Sequence, residues 1–418
     1  MNSRRTLLSL LAAAPWLASA RAGEPLVVEF WTMSLKPKFT AFFEALVQRY
    51  EAANPGIRLE WVDVPWDVLQ TKLTAAIAAG SPPALAQMNV PWAYDYALHG
   101  AIQPVDAWLD RSIYTEGAVR DLSFKGHVYG FPHYTSVNVM GWHRGLFAQA
   151  GLDRAPVTLD EQLAMSKQIK ARTGVAGFSP ALGKIAGIFL EQGLPLVENG
   201  RAVFNSPGHA ELLAKFADCY KAGGLLKDKL FAQDNFPASI DAYKSGRLAM
   251  MVAPPQALTR VRDDAPDVYA QTDAAPVPVG SADLAAGGWL FHFAMPRGSS
   301  SEVAQAAGRF AAFLTNDENQ LAFAKLARTF PTSRRAGQDT FFRGASTGAG
   351  ALEKGVAIGA SRMDRVRTLF VAGVPEFERL NKRLQDAVEA GVIGRRDIRA
   401  ALDDAVAFWD RRLKAAAS

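Results

Sequence analysis

The sequence predicts an α/β protein built as two lobes. Apolar runs of strand character alternate with helical spacings from Leu26 onward. That α/β pattern occurs twice, with no break in composition between consecutive halves. The 418 residues are 49% hydrophobic, with 24 Phe and 9 Trp, which is enough apolar surface for two cores and excludes general disorder. Neither a short tandem repeat nor a low-complexity linker is present, so two lobes joined by several chain crossings fit better than two beads on a string.

Leu26–Trp31 reads as a buried strand, followed by the polar loop Thr32-Met33-Ser34. Phe39 to Ala52 has helical spacing at Phe39, Phe42, Phe43, Leu46, Val47 and Tyr50, and stops at Asn54-Pro55-Gly56. Ile57–Val62 alternates as a second strand, Val68 to Ala79 is a helix ended by Gly80-Ser81-Pro82-Pro83, and Ala84 to Met88 is a third strand. Strand–helix–strand–helix–strand requires right-handed crossovers and a parallel sheet. Small ligands then lie beyond the carboxyl ends of the strands, at Trp31 onward, Asp63 to Trp66, and Met88 to Trp92.

Further strands are expected at Val128–Pro132, Val137–Trp142, Leu248–Val252 and Gly287–Met295, with an extended connector at Ala275–Pro278. Helices are expected at Asp160–Arg172, Ala210–Ala222, Ser301–Thr315, Asp317–Leu326, Pro375–Ala390 and Arg395–Lys414. The Gly/Ala-rich stretch Thr340 to Gly359 reads as a loop.

Met1–Ala22 reads as an export signal: Arg4-Arg5, an apolar run to Ala20, then small-x-small sites that place cleavage near Ala20 or Ala22. Pro15 interrupts the run, which is short for a bilayer span. Ser3-Arg4-Arg5-Thr6-Leu7-Leu8 fits a twin-arginine route as well as an ordinary one. No cysteine lies near the cleavage site, so a lipid anchor is not expected and the mature chain would be free in the periplasm. Removing the segment takes away three arginines and leaves 43 basic and 41 acidic residues, a net charge of +2. With no dense basic run elsewhere, nucleic-acid binding is not expected.

Much chemistry is missing. The single cysteine, Cys219, excludes an intramolecular disulfide, a Cys-based zinc site and an iron–sulfur cluster, and its place on an apolar helical face makes it a core thiol. The six histidines show no metal-helix spacing, and neither a Gly-x-Ser-x-Gly elbow nor a phosphate loop occurs. No catalytic residue, metal or cofactor is therefore assigned. A glycosidase carboxylate pair assembled from distant residues stays open at this point.

Tryptophans are the chemistry that is present. Trp31, Trp66 and Trp92 fall at or just after the ends of three successive strands. A sugar ring has an apolar C–H face, which an indole covers, and a rim of hydroxyls for polar side chains. Trp66, beside Pro65 and Asp67, and Trp92, after Asn89-Val90-Pro91, read as ligand contacts, and Tyr134 leans the same way. Trp31 and Trp289 read equally as core or contact. Trp61, Trp108 and Trp409 read as core.

Several landmarks, weak singly, are specific in this order. They are Phe30-Trp31-Thr32, Asn54-Pro55-Gly56-Ile57, Ala79-Gly80-Ser81-Pro82-Pro83, Gly126-His127-Val128-Tyr129-Gly130-Phe131-Pro132, Val203–Pro207, Tyr243-x-x-Gly246-x-x-Ala249-Met250, Phe313–Gln320 and Phe330-Pro331-Thr332. Together they resemble the solute-binding proteins of bacterial ABC importers, in the maltose-binding-protein-like branch that takes up sugars and oligosaccharides. The resemblance implies a two-lobed type II periplasmic-binding-protein fold with a ligand cleft and about three hinge crossings. It puts the N-terminal lobe at 23–134 with 278–330 and the C-terminal lobe at 135–277 with 331–418. The implied cleft residues are Ser34, Trp66, Asn89, Trp92, Tyr134, Trp289 and Arg334, to which Trp31 is added from its place at a strand end. Where the family has Gly-Pro-Trp this chain has Pro254-Pro255-Gln256, so Gln256 would offer hydrogen bonds in place of a stacking ring. The resemblance implies a sugar or oligosaccharide ligand, ABC permease subunits as partners, a monomer, and no catalysis. The alternatives are a non-sugar such as glycerol phosphate or a polyamine on the same fold, or a periplasmic carbohydrate-active enzyme.

Overall fold

A computed structural model describes residues 24–280, 282, 284, 287, 289–343, 349–368, 374 and 377–417. The expected export signal, 1–22, lies outside the described residues. In chain order the strands are β1 (Leu26–Met33), β2 (Ile57–Val64), β3 (Leu85–Asn89), β4 (Ile102–Gln103), β5 (Ser123–Phe124), β6 (His127–Val128), β7 (Phe131–Thr135), β8 (Val139–His143), β9 (Val197–Glu198), β10 (Arg201–Ala202), β11 (Met250–Ala253), β12 (Thr272–Pro276), β13 (Phe291–Pro296) and β14 (Phe330–Pro331).

The first sheet runs β14-β7-β13-β3-β1-β2, with β4 paired to β13. β1 is parallel to β2 and β3, as the strand–helix alternation predicts, and β13 is antiparallel to β3 and β7. Both faces of β1 are covered. Val28 and Phe30 pack with Phe43 and Phe310, while Trp31 and Met33 pack with Leu69 and Leu73. A parallel strand buried on both sides reads as the continuous apolar run seen in the sequence.

The second sheet is antiparallel, β11-β8-β12. Parallel bridges Ala176↔Leu248 and Phe178↔Leu225 add to it. Its core includes Phe147, Phe189, Phe216, Cys219 and Trp409, with the Trp409 Nε1 donating to the Leu380 carbonyl at 2.8 Å. Burial pushes the Cys219 thiol up to about 12, so it stays protonated.

The chain passes from the first sheet to the second after β7 and back after β12, and after β14 it crosses once more to the helix Ala351–Ser361, which rests on β12 and β8. The two-lobed architecture is the one that the sequence predicts.

One expected loop is a helix. The helix Ala351–Ser361 takes up the end of the stretch 340–359 and runs two residues past it. Its glycines act as contact points. A Cβ on Gly359 would lie 2.4 Å from the Phe330 ring, and one on Gly355 3.1 Å from Leu258. Small residues on the inner face let this helix lie close on its neighbours.

Candidate ligand cleft

The helices that follow β2 and β3 set the site. Helix Trp66–Ala78 begins directly after Pro65, so Trp66 occupies its first turn and not the loop that the sequence suggests. Helix Val90–Leu98 is capped by Asn89, whose Oδ1 accepts from the Trp92 backbone N–H at 3.0 Å, with Pro91 in the first turn. Both indoles therefore stand at the carboxyl edge of the parallel strands. Their centroids are 5.9 Å apart, tilted by 42°. Trp66 is 42% exposed and Trp92 is half-buried.

Phe291 extends the pair. It meets Trp66 edge-on at 5.4 Å and Tyr134 at 4.8 Å, so Trp92, Trp66, Phe291 and Tyr134 form one aromatic arc. Burial pushes the Tyr134 hydroxyl above the ordinary phenol range, so the ring remains neutral.

The loop after β1 borders the arc. Ser34 is exposed, has φ +50°, and its Oγ accepts from the Trp66 backbone N–H at 3.0 Å. The Asp63 carboxylate braces this loop by accepting from Thr32 Oγ1 at 2.6 Å and from the Leu35 and Lys36 N–H groups at 3.0 Å. Among the described residues, neither the two indole N–H groups nor Asn89 Nδ2 has a hydrogen-bond partner.

Trp289 reaches the other lobe. It is 37% exposed, and the Lys184 Nζ lies 5.0 Å from its ring centroid. Lys184 precedes the helix Ile185–Glu191, whose Ile185 and Phe189 are in the second lobe's core. Burial holds the Lys184 ammonium below its usual range, and burial pushes the Glu191 carboxyl at the far end of that helix up to about 7. A Cβ on Gly187, between them, would meet nothing within 4 Å, so this face looks onto open space.

Three expected cleft residues stand apart from the arc. Trp31 is a core residue, 5% exposed. Its Nε1 donates to Glu29 at 2.6 Å and the Lys72 ammonium covers its ring at 4.4 Å. Arg334 starts the short helix Arg334–Gly337, donates from Nε to the Tyr114 carbonyl at 2.7 Å, and lines a separate cavity of about 390 Å³. None of the tryptophans lines that cavity. Gln256 opens the helix Gln256–Asp264 after β11, half-buried, and has no contact with the arc among the described residues. Trp61 packs between Phe30 and Phe43, as expected.

Phe291 and Lys184 carry no obvious signal in the sequence. The period of two from Trp289 through Phe291 is the one hint for Phe291. No cluster of three or more His, Cys, Asp or Glu side chains fit for a metal ion occurs among the described residues. No described helix is long and apolar enough to cross a membrane.

The model of the bacterial extracellular solute-binding protein family matches residues 45–343. The chain belongs to that family. Its fold matches the crystal structure of a putative oligosaccharide periplasmic-binding protein from Synechococcus sp. MITs9220, with 27% identity, a TM-score of 0.83, and coverage of 93% of this chain and 99% of that one. A putative binding protein of Brucella abortus (strain 2308) is 28% identical over 273 residues, 62% of this chain. The chain spans 64% of the length of that relative. The sn-glycerol-3-phosphate-binding periplasmic protein of Escherichia coli O1:K1 is 24% identical over 370 residues, 80% of each chain. These relatives of the solute-binding family are named as binding proteins, not enzymes.

Proposed function

We propose that this chain is the periplasmic substrate-binding component of an ABC importer, capturing a sugar or short oligosaccharide and handing it unchanged to a membrane permease. The observation that carries this is the Trp66–Trp92 pair at the carboxyl edge of parallel strands, joined by Phe291 and Tyr134 and bordered by the polar Asn89 and Ser34. Indoles cover the apolar faces of sugar rings, and Asn89 Nδ2, Ser34 Oγ and the indole N–H groups pair with hydroxyls. The name of the Synechococcus relative supports an oligosaccharide.

In this reading 23–134 with 278–330 forms one lobe, and 135–277 with 331–418 the other. The lobes close on the ligand, with Trp289 and the Lys184–Glu191 face as the opposing wall. Closure is driven by the ligand's greater affinity for the closed state. In this reading the protein is exported and acts as a monomer.

A carbohydrate panel followed by tryptophan fluorescence and thermal shift tests the reading, with new reducing ends measured alongside. Binding without turnover is expected. No response to any carbohydrate refutes the sugar assignment, and new reducing ends would make the chain an enzyme. The second reading, a phosphorylated polyol, draws on the Escherichia coli relative. Binding of glycerol 3-phosphate that weakens steeply with salt would favour it.

A further inference from the structure

The 390 Å³ cavity lies where the three crossings meet. One residue beside each crossing lines it: Thr135 at the end of β7, Leu290 before β13 and Thr332 after β14. Its walls come from both lobes. One is the helix Glu116–Asp121, whose Ala118 packs in the first lobe's core. The other is Met363 to Thr368, just after the helix Ala351–Ser361 that rests on β12 and β8. The Thr368 N–H donates to Asp121 Oδ2 at 3.0 Å across the gap.

The Trp92 and Phe291 part of the aromatic arc lies on the face of the first sheet opposite Leu290, while Tyr134, at the other end of the arc, packs on the Leu290 face. Leu290 packs with the core on the Val28, Phe30 and Phe293 face. Phe291, displaced by a bulge between it and His292, packs with the Trp31, Met33 and Ala294 face, as does Trp92. The crossings run between the two spaces. Rotation of the lobes about them narrows one space as it widens the other.

Three arginines line the cavity, Arg120, Arg334 and Arg367. Arg120 and Arg367 come from different lobes and converge over Gly117. A Cβ on Gly117 would lie 3.6 Å from Arg120 Nη2 and 3.5 Å from Arg367 Nη1. Two carboxylates are also present. Glu116 is 3.6 Å from Arg334, both well exposed, and Asp121 is 3.7 Å from Arg120. Threonines 115, 135, 332 and 368 add hydroxyls. The volume is in the range of small-molecule sites.

We propose that this cavity is a second ligand site, taking a phosphate group between Arg120, Arg334 and Arg367, and that its occupation opposes closure of the cleft on the other face. Guanidinium groups grip phosphate oxygens through paired N–H donors. An oxyanion held by arginines of both lobes keeps this side together, which favours the open cleft. Coupling of this kind is reciprocal, so phosphate weakens binding in the cleft by the factor by which the cleft ligand weakens phosphate.

Thermal unfolding of the whole mature chain, titrated with sodium phosphate against sodium chloride of equal ionic strength, tests the site without any sugar. It therefore stands or falls apart from the carbohydrate reading. Phosphate is expected to raise Tm beyond chloride, and the excess is expected to vanish in Arg120→Gln and in Gly117→Ala. The second variant keeps the fold, because alanine suits a helix and its methyl makes ordinary contacts, yet it fills the point where the two guanidiniums meet. It decides alone should Arg120→Gln fail to fold. Glycerol 2-phosphate in parallel separates an organic phosphate from the free ion as the better ligand. No excess over chloride, or an excess that survives in Gly117→Ala, overturns the site. With a cleft ligand in hand, phosphate is expected to raise its Kd threefold or more in the native chain, and an unchanged Kd overturns the coupling.

Discussion

The indoles of Trp66 and Trp92 lie 5.9 Å apart, each in the first turn of a helix that leaves a parallel strand. Helix starts hold the two rings, so the backbone fixes their separation before any ligand arrives. Preorganised aromatic surface costs little ordering on binding.

Trp66→Ala is therefore expected to lower sugar affinity at least tenfold, about 1.4 kcal/mol, with little effect on the fold. Trp66 is exposed, and it loses an edge contact with Phe291 and a tilted contact with Trp92. Titration by intrinsic tryptophan fluorescence, alongside a urea melt, checks both halves. A variant that unfolds early but binds as tightly as the native chain would make Trp66 a structural residue.

Asn89 has two separable roles. Its Oδ1 caps the helix Val90–Leu98, and its Nδ2 points to no protein partner among the described residues. Asn89→Ala is expected to cost about 1 kcal/mol of stability through the lost cap. Asn89→Ser keeps a capping oxygen and drops the amide donor. Stability near native with weakened sugar binding is expected, read by urea melts and calorimetric titration. Equal affinity in Asn89→Ser and the native chain removes Asn89 from the site.

Gly359 is expected to resist substitution. An added methyl would lie 2.4 Å from the Phe330 ring, so Gly359→Ala forces the helix Ala351–Ser361 away from β14. Overpacking of this kind costs about 1–3 kcal/mol, and this outweighs alanine's better helix propensity. The midpoint of a urea melt measures it. A more stable variant would show that this helix gives way without loss.

The same glycine shows why part of the fold is not legible in the sequence. Glycine marks turns and breaks often enough that Gly350, Gly355 and Gly359 read together as a loop. Only the neighbouring Phe330 and Leu258 reveal that two of them are contact points in a helix. The parallel core of β1, β2 and β3 is legible because strands covered on both faces need unbroken apolar runs. Trp66 and Trp92 are legible because they follow such runs directly. Trp31 also follows one, yet it faces Leu69 and the Lys72 ammonium, and alternation alone does not say which face is filled. Phe291 joins the arc through a bulge, a one-residue shift with no mark in its composition.

Stability is expected to depend on pH through two opposed sets of groups. Burial pushes His133 and His292 down to about 3 and His209 down to about 4. In the unfolded chain each titrates near 6.5. Above that pH neither state binds the proton and nothing is lost. As pH falls from 6.5 towards 3 or 4 the unfolded chain takes up protons that the native one refuses, so stability falls by up to about 1.4 kcal/mol per pH unit for each histidine. Glu191 runs the other way. Its native carboxyl titrates at about 7, above its unfolded value near 4.3. The favourable protonated state is fully present below the unfolded value and is lost as pH rises towards 7. Between pH 4.5 and 6.5 the two trends partly cancel, so the native chain alone does not separate them. Two variants do. His133→Phe keeps a ring against Phe323, which the imidazole stacks on at 4.9 Å, and is expected to flatten the loss between pH 6 and 4. Glu191→Gln is expected to gain stability relative to the native chain at pH 8 and to lose that advantage at pH 4. Urea midpoints at four pH values give both slopes. Parallel curves for Glu191→Gln and the native chain would mean that its carboxylate is satisfied when the cleft is open.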